Sequence, residues 1–143
     1  MCLIINKENH PEYKPIILKK ELRVYKILCG IRHPRGAKYL ETNSSPVQFF
    51  TYLPKTLYKT KMSKSKPLLD GAVYDKYSTL REINKGFHAF ILKADARDNN
   101  NMFPDKNNKI CSFYYPKGTM VYYGIHGDIV GDQIKSGTLK RLK

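Results

Sequence analysis

Lysines and arginines interspersed with tyrosines are the residues of this chain whose types and spacing point most directly to a chemistry. No acidic residue occurs between Glu41 and Asp70, although that stretch contains five lysines and two tyrosines. A second acid-free stretch lies between Glu21 and Glu41. Cationic side chains neutralise phosphates, and aromatic rings stack on unpaired bases. The polyanion-binding candidates drawn from these two stretches are Arg32, Arg35, Lys55, Tyr58, Lys59, Lys61, Lys64 and Lys66.

The overall charge balance supports the same kind of partner. The chain has 26 Lys+Arg against 12 Asp+Glu, a formal net charge of +14 on 143 residues. Self-repulsion of this size destabilises a compact state unless something negative offsets it. The balance therefore predicts nucleic acid or another polyanion, such as a nucleoprotein complex or an anionic nucleotide, or else an acidic protein surface. The alternative is a solvated lysine-rich surface, because lysine and asparagine are both abundant here.

Cys2 and His88 suggest a different, catalytic chemistry. Removal of Met1 would leave an N-terminal cysteine whose amine could act as the base for its own thiol in amide hydrolysis or transfer. His88 lies in the segment KGFHAF, where alternation predicts the two phenylalanines on the side opposite the histidine. Both residues also fit structural roles, as a buried strand edge and a half-buried histidine. The non-enzymatic interpretation is therefore favoured.

Neither a metal site nor a cofactor site is expected. The three cysteines are widely spaced and form no CxxC pair, which a zinc or thioredoxin-like motif requires. No glycine–lysine phosphate loop, zinc finger or RNA-binding sheet signature occurs. His126-Gly127-Asp128 combines a glycine-flanked histidine with a carboxylate, and we interpret this trio as the closure of a turn.

The elements that must position these residues form a β-rich α+β fold, with an antiparallel sheet and one or two short helices in a single domain over 1–143. Strands are predicted at 2–6, 22–28, 47–53 and 56–62, with a final strand within 133–142. The segment GFHAFILKADARD (86–98) is predicted to be a strand that runs into a short helical turn. A short helix is predicted over 74–84, and a loop over 95–109. Residues 110–115 and 119–123 are predicted to form a β-hairpin around Pro116-Lys117-Gly118.

Several short motifs occur together in this chain: MCLII, RVYKIL, LYKTKM, KGFHAF and YPKGTMVYYGIHGDIVGDQI. The combination resembles small uncharacterised proteins of phages and phage-rich bacterial genomes, which share a GFH-aromatic motif followed by a PKGT-YYG-GD hairpin. The resemblance implies a small phage-associated domain and supplies no catalytic residues. Phage proteins of this size commonly bind host machinery, inhibit host defence or form minor virion components. This chain departs from them in its KNNK loop and its stronger positive charge.

The hydropathy pattern predicts neither secretion nor membrane insertion. The apolar run from Cys2 to Ile5 is too short for a secretory signal. No stretch approaches the roughly 20 apolar residues that span a bilayer as a helix. The leading expectation is an accessory protein that binds a polyanion in the host cytoplasm or within a virion. The alternatives are a minor virion or decoration protein that docks an acidic partner, and a hydrolase or transferase that uses Cys2.

Overall fold

A computed structural model describes residues 3–33, 36–41, 51–67, 80–102, 108–140 and 142. Over these residues the chain forms thirteen strands, one short 3-10 turn and one α-helix. The strands are β1 (Leu3–Asn6), β2 (Ile16–Ile17), β3 (Leu22–His33), β4 (Gly36–Glu41), β5 (Thr51–Tyr52), β6 (Leu57–Lys59), β7 (Lys66–Pro67), β8 (Leu80–Ile83), β9 (Phe87–Phe90), β10 (Asn108–Tyr115), β11 (Met120–Tyr123), β12 (Asp128–Gly131) and β13 (Gln133–Ser136). The helix α1 spans Lys93–Met102, and the 3-10 turn spans Pro11–Tyr13. The predicted β-rich α+β fold with a short helix is confirmed.

The strands form two antiparallel sheets. The large sheet has the order β2-β11-β12-β9-β3-β10-β13-β6, with β4 paired to β3 and β5 paired to β4. The small sheet has the order β1-β8-β7. Only Asp132 separates β12 from β13, yet β12 pairs with β9 and β11 whereas β13 pairs with β10 and β6. One nearly continuous segment therefore links the two halves of the large sheet.

The main core lies on one side of the large sheet and includes a buried tyrosine. The ring of Tyr115 is inaccessible to solvent, and its hydroxyl donates a hydrogen bond of 2.6 Å to the carbonyl of Phe87. A buried phenol is tolerated because its polar end has a partner. A β-carbon at Gly131 would lie 2.9 Å from Cε1 of Tyr115, so the absence of a side chain there makes room for the ring.

A second core joins the small sheet to the other side of β11 and β12. It contains Leu3, Ile5, Ile83, Tyr122 and Val130. This arrangement explains why β12 has apolar residues on both of its sides, since each side packs against a different core.

His10 ties the segment after β1 to β11. Its ring is completely buried, and Nε2 accepts a hydrogen bond of 2.8 Å from the backbone N–H of Tyr123. Nδ1 lies 2.9 Å from the carbonyl oxygen of Lys14. Since Nε2 is an acceptor, Nδ1 must carry the proton and donate it to that carbonyl.

The structure corrects two predictions of secondary structure. The helix predicted over 74–84 is wrong at Leu80–Ile83, which form β8 and pair with β1; residues 74–79 lie outside the described ranges. Pairing with β1 buries Ile83 completely, and this tertiary contact overrides the local helical spacing. The loop predicted over 95–109 is wrong in its described residues, because α1 occupies the segment up to Met102, with Asp95 in its first turn and Ala96 buried, and Asn108 begins β10. The helical turn predicted within 86–98 is confirmed where α1 begins at Lys93.

The predicted hairpin at 110–123 is wrong in its pairing, although both segments are strands. β10 pairs with β3 and β13, whereas β11 pairs with β12 and β2. At the turn, Gly118 N–H donates to the carbonyl of Leu18 at 2.8 Å, and Leu18 N–H donates to the carbonyl of Thr119 at 2.9 Å. Leu18 therefore forms backbone hydrogen bonds at the position where the second strand of a hairpin would pair with the first.

Candidate polyanion interface

A row of outward-facing residues crosses four neighbouring strands, β3, β10, β13 and β6. The register places Arg23 opposite Tyr114, Tyr114 opposite Lys135, and Lys135 opposite Leu57. Residues directly opposite each other in an antiparallel ladder project from the same side of the sheet. The row therefore lies on one face, with a tyrosine flanked by two cations.

Burial shows which side of the sheet this face occupies. The alternate residues Val24, Phe113, Ile134 and Ser136 are buried in or beside the main core, so the row itself faces away from the core. Arg23, Lys59 and Lys135 are exposed. The basic face is defined as eight outward residues: Arg23, Tyr25, Leu57, Lys59, Ser112, Tyr114, Gln133 and Lys135. Further along the same side of β3 and β10, Ile27 and its register partner Ile110 are apolar and Ile27 is buried, so the basic face ends at Tyr25 and Ser112.

The guanidinium of Arg23 is held in place on this face. Its Nε and one terminal nitrogen donate to Oγ of Ser112 at 3.1 Å and 2.7 Å. Its Cζ lies 5.5 Å from the ring centroid of Tyr25, within cation–π range. The remaining N–H donors of the fork can still bind a ligand. A side chain that is already ordered loses less entropy on binding.

The charged side chains of the basic face are all cations. None of its residues is acidic. Within the described part of the chain, no carboxylate forms an ion pair with Arg23, Lys59 or Lys135. Neighbouring strands lie about 4.8 Å apart, so the four strands span about 14 Å. That width matches about four nucleotides at the ~3.4 Å rise of a stacked strand.

The lysines predicted as binding residues at 55–66 lie in different parts of the fold. Lys59 lies on the basic face, and Lys55 and Lys61 are exposed beside β6. The predicted alternation of exposed and covered residues from Leu57 to Met62 is confirmed. Lys66 instead belongs to the small sheet, where its register partner is Glu82. Lys64 is exposed in the connection between them.

Tyr58, predicted to stack on bases, points toward the core. Its register partner is the buried Ile134, and its ring makes an edge contact with Tyr52 at a centroid distance of 5.3 Å. Its hydroxyl oxygen accepts a hydrogen bond of 2.7 Å from the backbone N–H of Leu53. Tyr58 therefore supports the edge strand from inside and contributes no ring to the basic face.

Three of the other predicted site residues have no described side chain. Arg32 lies in β3 opposite Ala37, and its side chain is outside the description. Arg35 and Cys2 lie outside the described residues.

His88 is half-buried in β9, opposite Val130, and its carbonyl accepts a hydrogen bond from the buried ammonium of Lys26. The expectation that both phenylalanines oppose His88 is wrong for Phe90, because burial alternates as Phe87 and Ala89 against His88 and Phe90.

Lys59 is the one basic-face residue among the predicted site residues; sequence reasoning missed Arg23 and Lys135 as well as the ring and hydroxyl side chains Tyr25, Ser112 and Tyr114. Strand alternation alone identifies Tyr25 as an outward residue of β3, and the same rule identifies Ser112 and Tyr114 in β10. The missing information was that β10 lies between β3 and β13. No local pattern specifies this long-range pairing.

The turn at His126-Gly127-Asp128 has the structural role that the sequence predicted. Gly124 N–H donates to the carbonyl of Asp128 at 2.8 Å and closes the turn. One carboxylate oxygen of Asp128 is buried and has no hydrogen-bond partner among the described residues. Burial raises the pKa of Asp128, partly opposed by backbone N–H groups and by His126. Asp95 lies close by, since a β-carbon at Gly127 would be 2.6 Å from its Oδ2.

The described residues contain no group of three histidine, cysteine, aspartate or glutamate side chains placed to hold a metal ion. None of the helices within the described ranges has the length and hydropathy needed to cross a bilayer. No family model, curated protein or solved structure matches the chain. The functional conclusion therefore depends on the geometry and charge of the basic face.

Proposed function

We propose that this protein binds a nucleic acid through the basic face, as a non-enzymatic accessory protein. The observation that supports this proposal most strongly is the row Arg23–Tyr114–Lys135, which joins two cations and an aromatic ring across three adjacent strands. The setting, a phage protein acting in the host cytoplasm or within a virion, is proposed from the sequence motifs alone.

The physical basis of binding is the release of counterions from the phosphate backbone. Each neutralised phosphate makes the logarithm of the binding constant fall with the logarithm of salt concentration by about 0.7 to 0.9. Three phosphate contacts, one each from Arg23, Lys59 and Lys135, would account for a slope of about 2 to 3. The net charge of +14 adds long-range attraction that speeds encounter at low salt.

The test is a titration of a labelled 20-nucleotide oligonucleotide, followed by fluorescence anisotropy at several salt concentrations. The variant combines Arg23→Gln, Lys59→Gln and Lys135→Gln. We expect this variant to bind more weakly at low salt. The slope of the logarithm of its binding constant against the logarithm of salt concentration should be smaller by about 2 to 3.

A matched control separates the basic face from net charge. Lys7→Gln, Lys19→Gln and Lys20→Gln remove the same three charges from exposed positions outside the basic face. The control should keep most of the affinity and of the salt slope. Equal losses in the two triple variants would refute the basic face as the binding site. Absence of binding by the unmodified protein at low salt would refute nucleic-acid binding altogether.

A further inference from the structure

Planar groups lie side by side on the basic face. Tyr25 and Tyr114 are half-buried on adjacent strands, and the guanidinium of Arg23 contacts the Tyr25 ring. The register places Arg23 directly opposite Tyr114. Two phenol rings and a guanidinium therefore share one small area, and such planar groups are the ones on which nucleobases stack.

Small residues lie beside these rings. Ser112 is the register partner of Tyr25, and Gly137 N–H donates to the carbonyl of Ser112 at 3.2 Å. A β-carbon at Gly137 would lie 3.5 Å from Cε2 of Tyr114, so no side chain from this position covers the Tyr114 ring.

The width of the face argues against recognition of a duplex from within a groove. The four strands span about 14 Å before side chains are added. The major groove of B-DNA is about 12 Å wide and admits a helix or a two-stranded ribbon. The helix α1, the one helix in the described part of the chain, carries Asp95 and Asp98 against Lys93 and Arg97, so it has no excess of positive charge with which to attract phosphates.

We infer that the ligand is a single-stranded nucleic acid, whose unpaired bases stack on Tyr25 and Tyr114 while its phosphates contact Arg23, Lys135 and Lys59. This inference rests on the proposed function and makes it specific. Base faces are stacked inside a duplex and are accessible to aromatic side chains only when the bases are unpaired. Arg23 and Lys135 flank Tyr114 across three strands, so a base on that ring would have a cation on either side for its neighbouring phosphates.

The experiment compares single-stranded DNA, single-stranded RNA and duplex DNA of equal length and at equal salt. The variants are Tyr25→Leu and Tyr114→Leu, with Tyr25→Phe and Tyr114→Phe as matched controls that keep the ring. Each leucine variant should lose at least about fivefold in affinity for single strands, which is the lower bound of ~1 kcal/mol for base stacking. The phenylalanine variants should bind nearly as well as the unmodified protein.

The salt slope distinguishes this inference from the proposed function. The leucine variants should keep the slope because they remove no phosphate contact. Tight binding of single strands and duplex alike, with affinity unchanged in the leucine variants, would overturn the stacking inference and leave nucleic-acid binding intact. No binding to any of the three nucleic acids would overturn both.

A second measurement needs no substitution at all. Photo-crosslinking of the unmodified protein to a single-stranded oligonucleotide that contains 5-iodouracil, followed by trypsin digestion, should attach the nucleotide to two peptides. These are VYK (24–26) and ICSFYYPK (110–117), which contain Tyr25 and Tyr114. Crosslinks confined to other tyrosine-containing peptides would place the bases elsewhere and refute the inference.

Discussion

Replacement of Asp128 by asparagine should stabilise the protein at neutral pH. Burial raises the pKa of this carboxyl, and one of its oxygens has no hydrogen-bond partner among the described residues. A buried polar group without a partner costs roughly 1 to 3 kcal/mol, and more when it is charged. Because Asp128 is only partly buried, solvent screens the charge. Asparagine keeps a polar atom at this position and relieves only the additional cost of burying the charge. We therefore expect a gain of about 1 kcal/mol from Asp128→Asn, or about 4 °C in Tm.

The pH dependence of this stabilisation follows from the direction in which the pKa of Asp128 is shifted. The folded state has the higher pKa and binds the proton more tightly, so no penalty exists below the ordinary carboxyl pKa of about 3.9. The destabilisation by the buried carboxylate develops as the pH rises from the ordinary pKa to the raised pKa of Asp128, and it is complete above the raised pKa. The advantage of Asp128→Asn should therefore be absent near pH 3 and fully developed at pH 7.

Thermal denaturation across this pH range measures the effect. Asp98→Asn in α1 is the matched control, because Asp98 is exposed and the charge change is the same. Subtracting the control removes the contribution of increased net positive charge. A Tm difference between the two variants that is zero or negative at pH 7, or that does not change with pH, would refute the reasoning.

Two further predictions concern the contacts that hold the sheets together. His10→Ala removes the acceptor of the Tyr123 N–H and the donor to the Lys14 carbonyl, and it empties a fully buried site, so urea denaturation should show a loss of about 3 kcal/mol. Tyr115→Phe keeps the buried ring but removes the hydrogen bond to the Phe87 carbonyl, so the same assay should show a loss of about 1 kcal/mol with nucleic-acid binding unchanged. A stable His10→Ala variant, or a Tyr115→Phe variant with altered affinity, would contradict these assignments.

Local patterns predicted which segments form strands better than they predicted which strands pair with each other. The alternation in Leu22–Leu28 correctly indicates a strand, and it places Arg23 and Tyr25 on the same side. The Pro116-Lys117-Gly118 segment also forms the expected turn, but Leu18 supplies its backbone partners. A turn motif specifies a change of direction, whereas the strands that pair with β10 and β11 come from both sides of the turn, some of them about a hundred positions away. The hairpin prediction was wrong for this reason.

In the same way, a run of basic residues in the sequence does not by itself form one basic surface in the fold. Lys59 and Lys66 are neighbours in the sequence and share an acid-free stretch, yet the fold places them in different sheets, and Lys66 lies opposite a glutamate. Arg23 and Lys135 are more than a hundred residues apart, yet each is the register partner of Tyr114. Net charge favours an anionic partner without identifying it, since any +14 surface attracts polyanions. Selectivity for unpaired bases requires rings at fixed positions between the cations, and the antiparallel pairing of β3, β10 and β13 provides that arrangement.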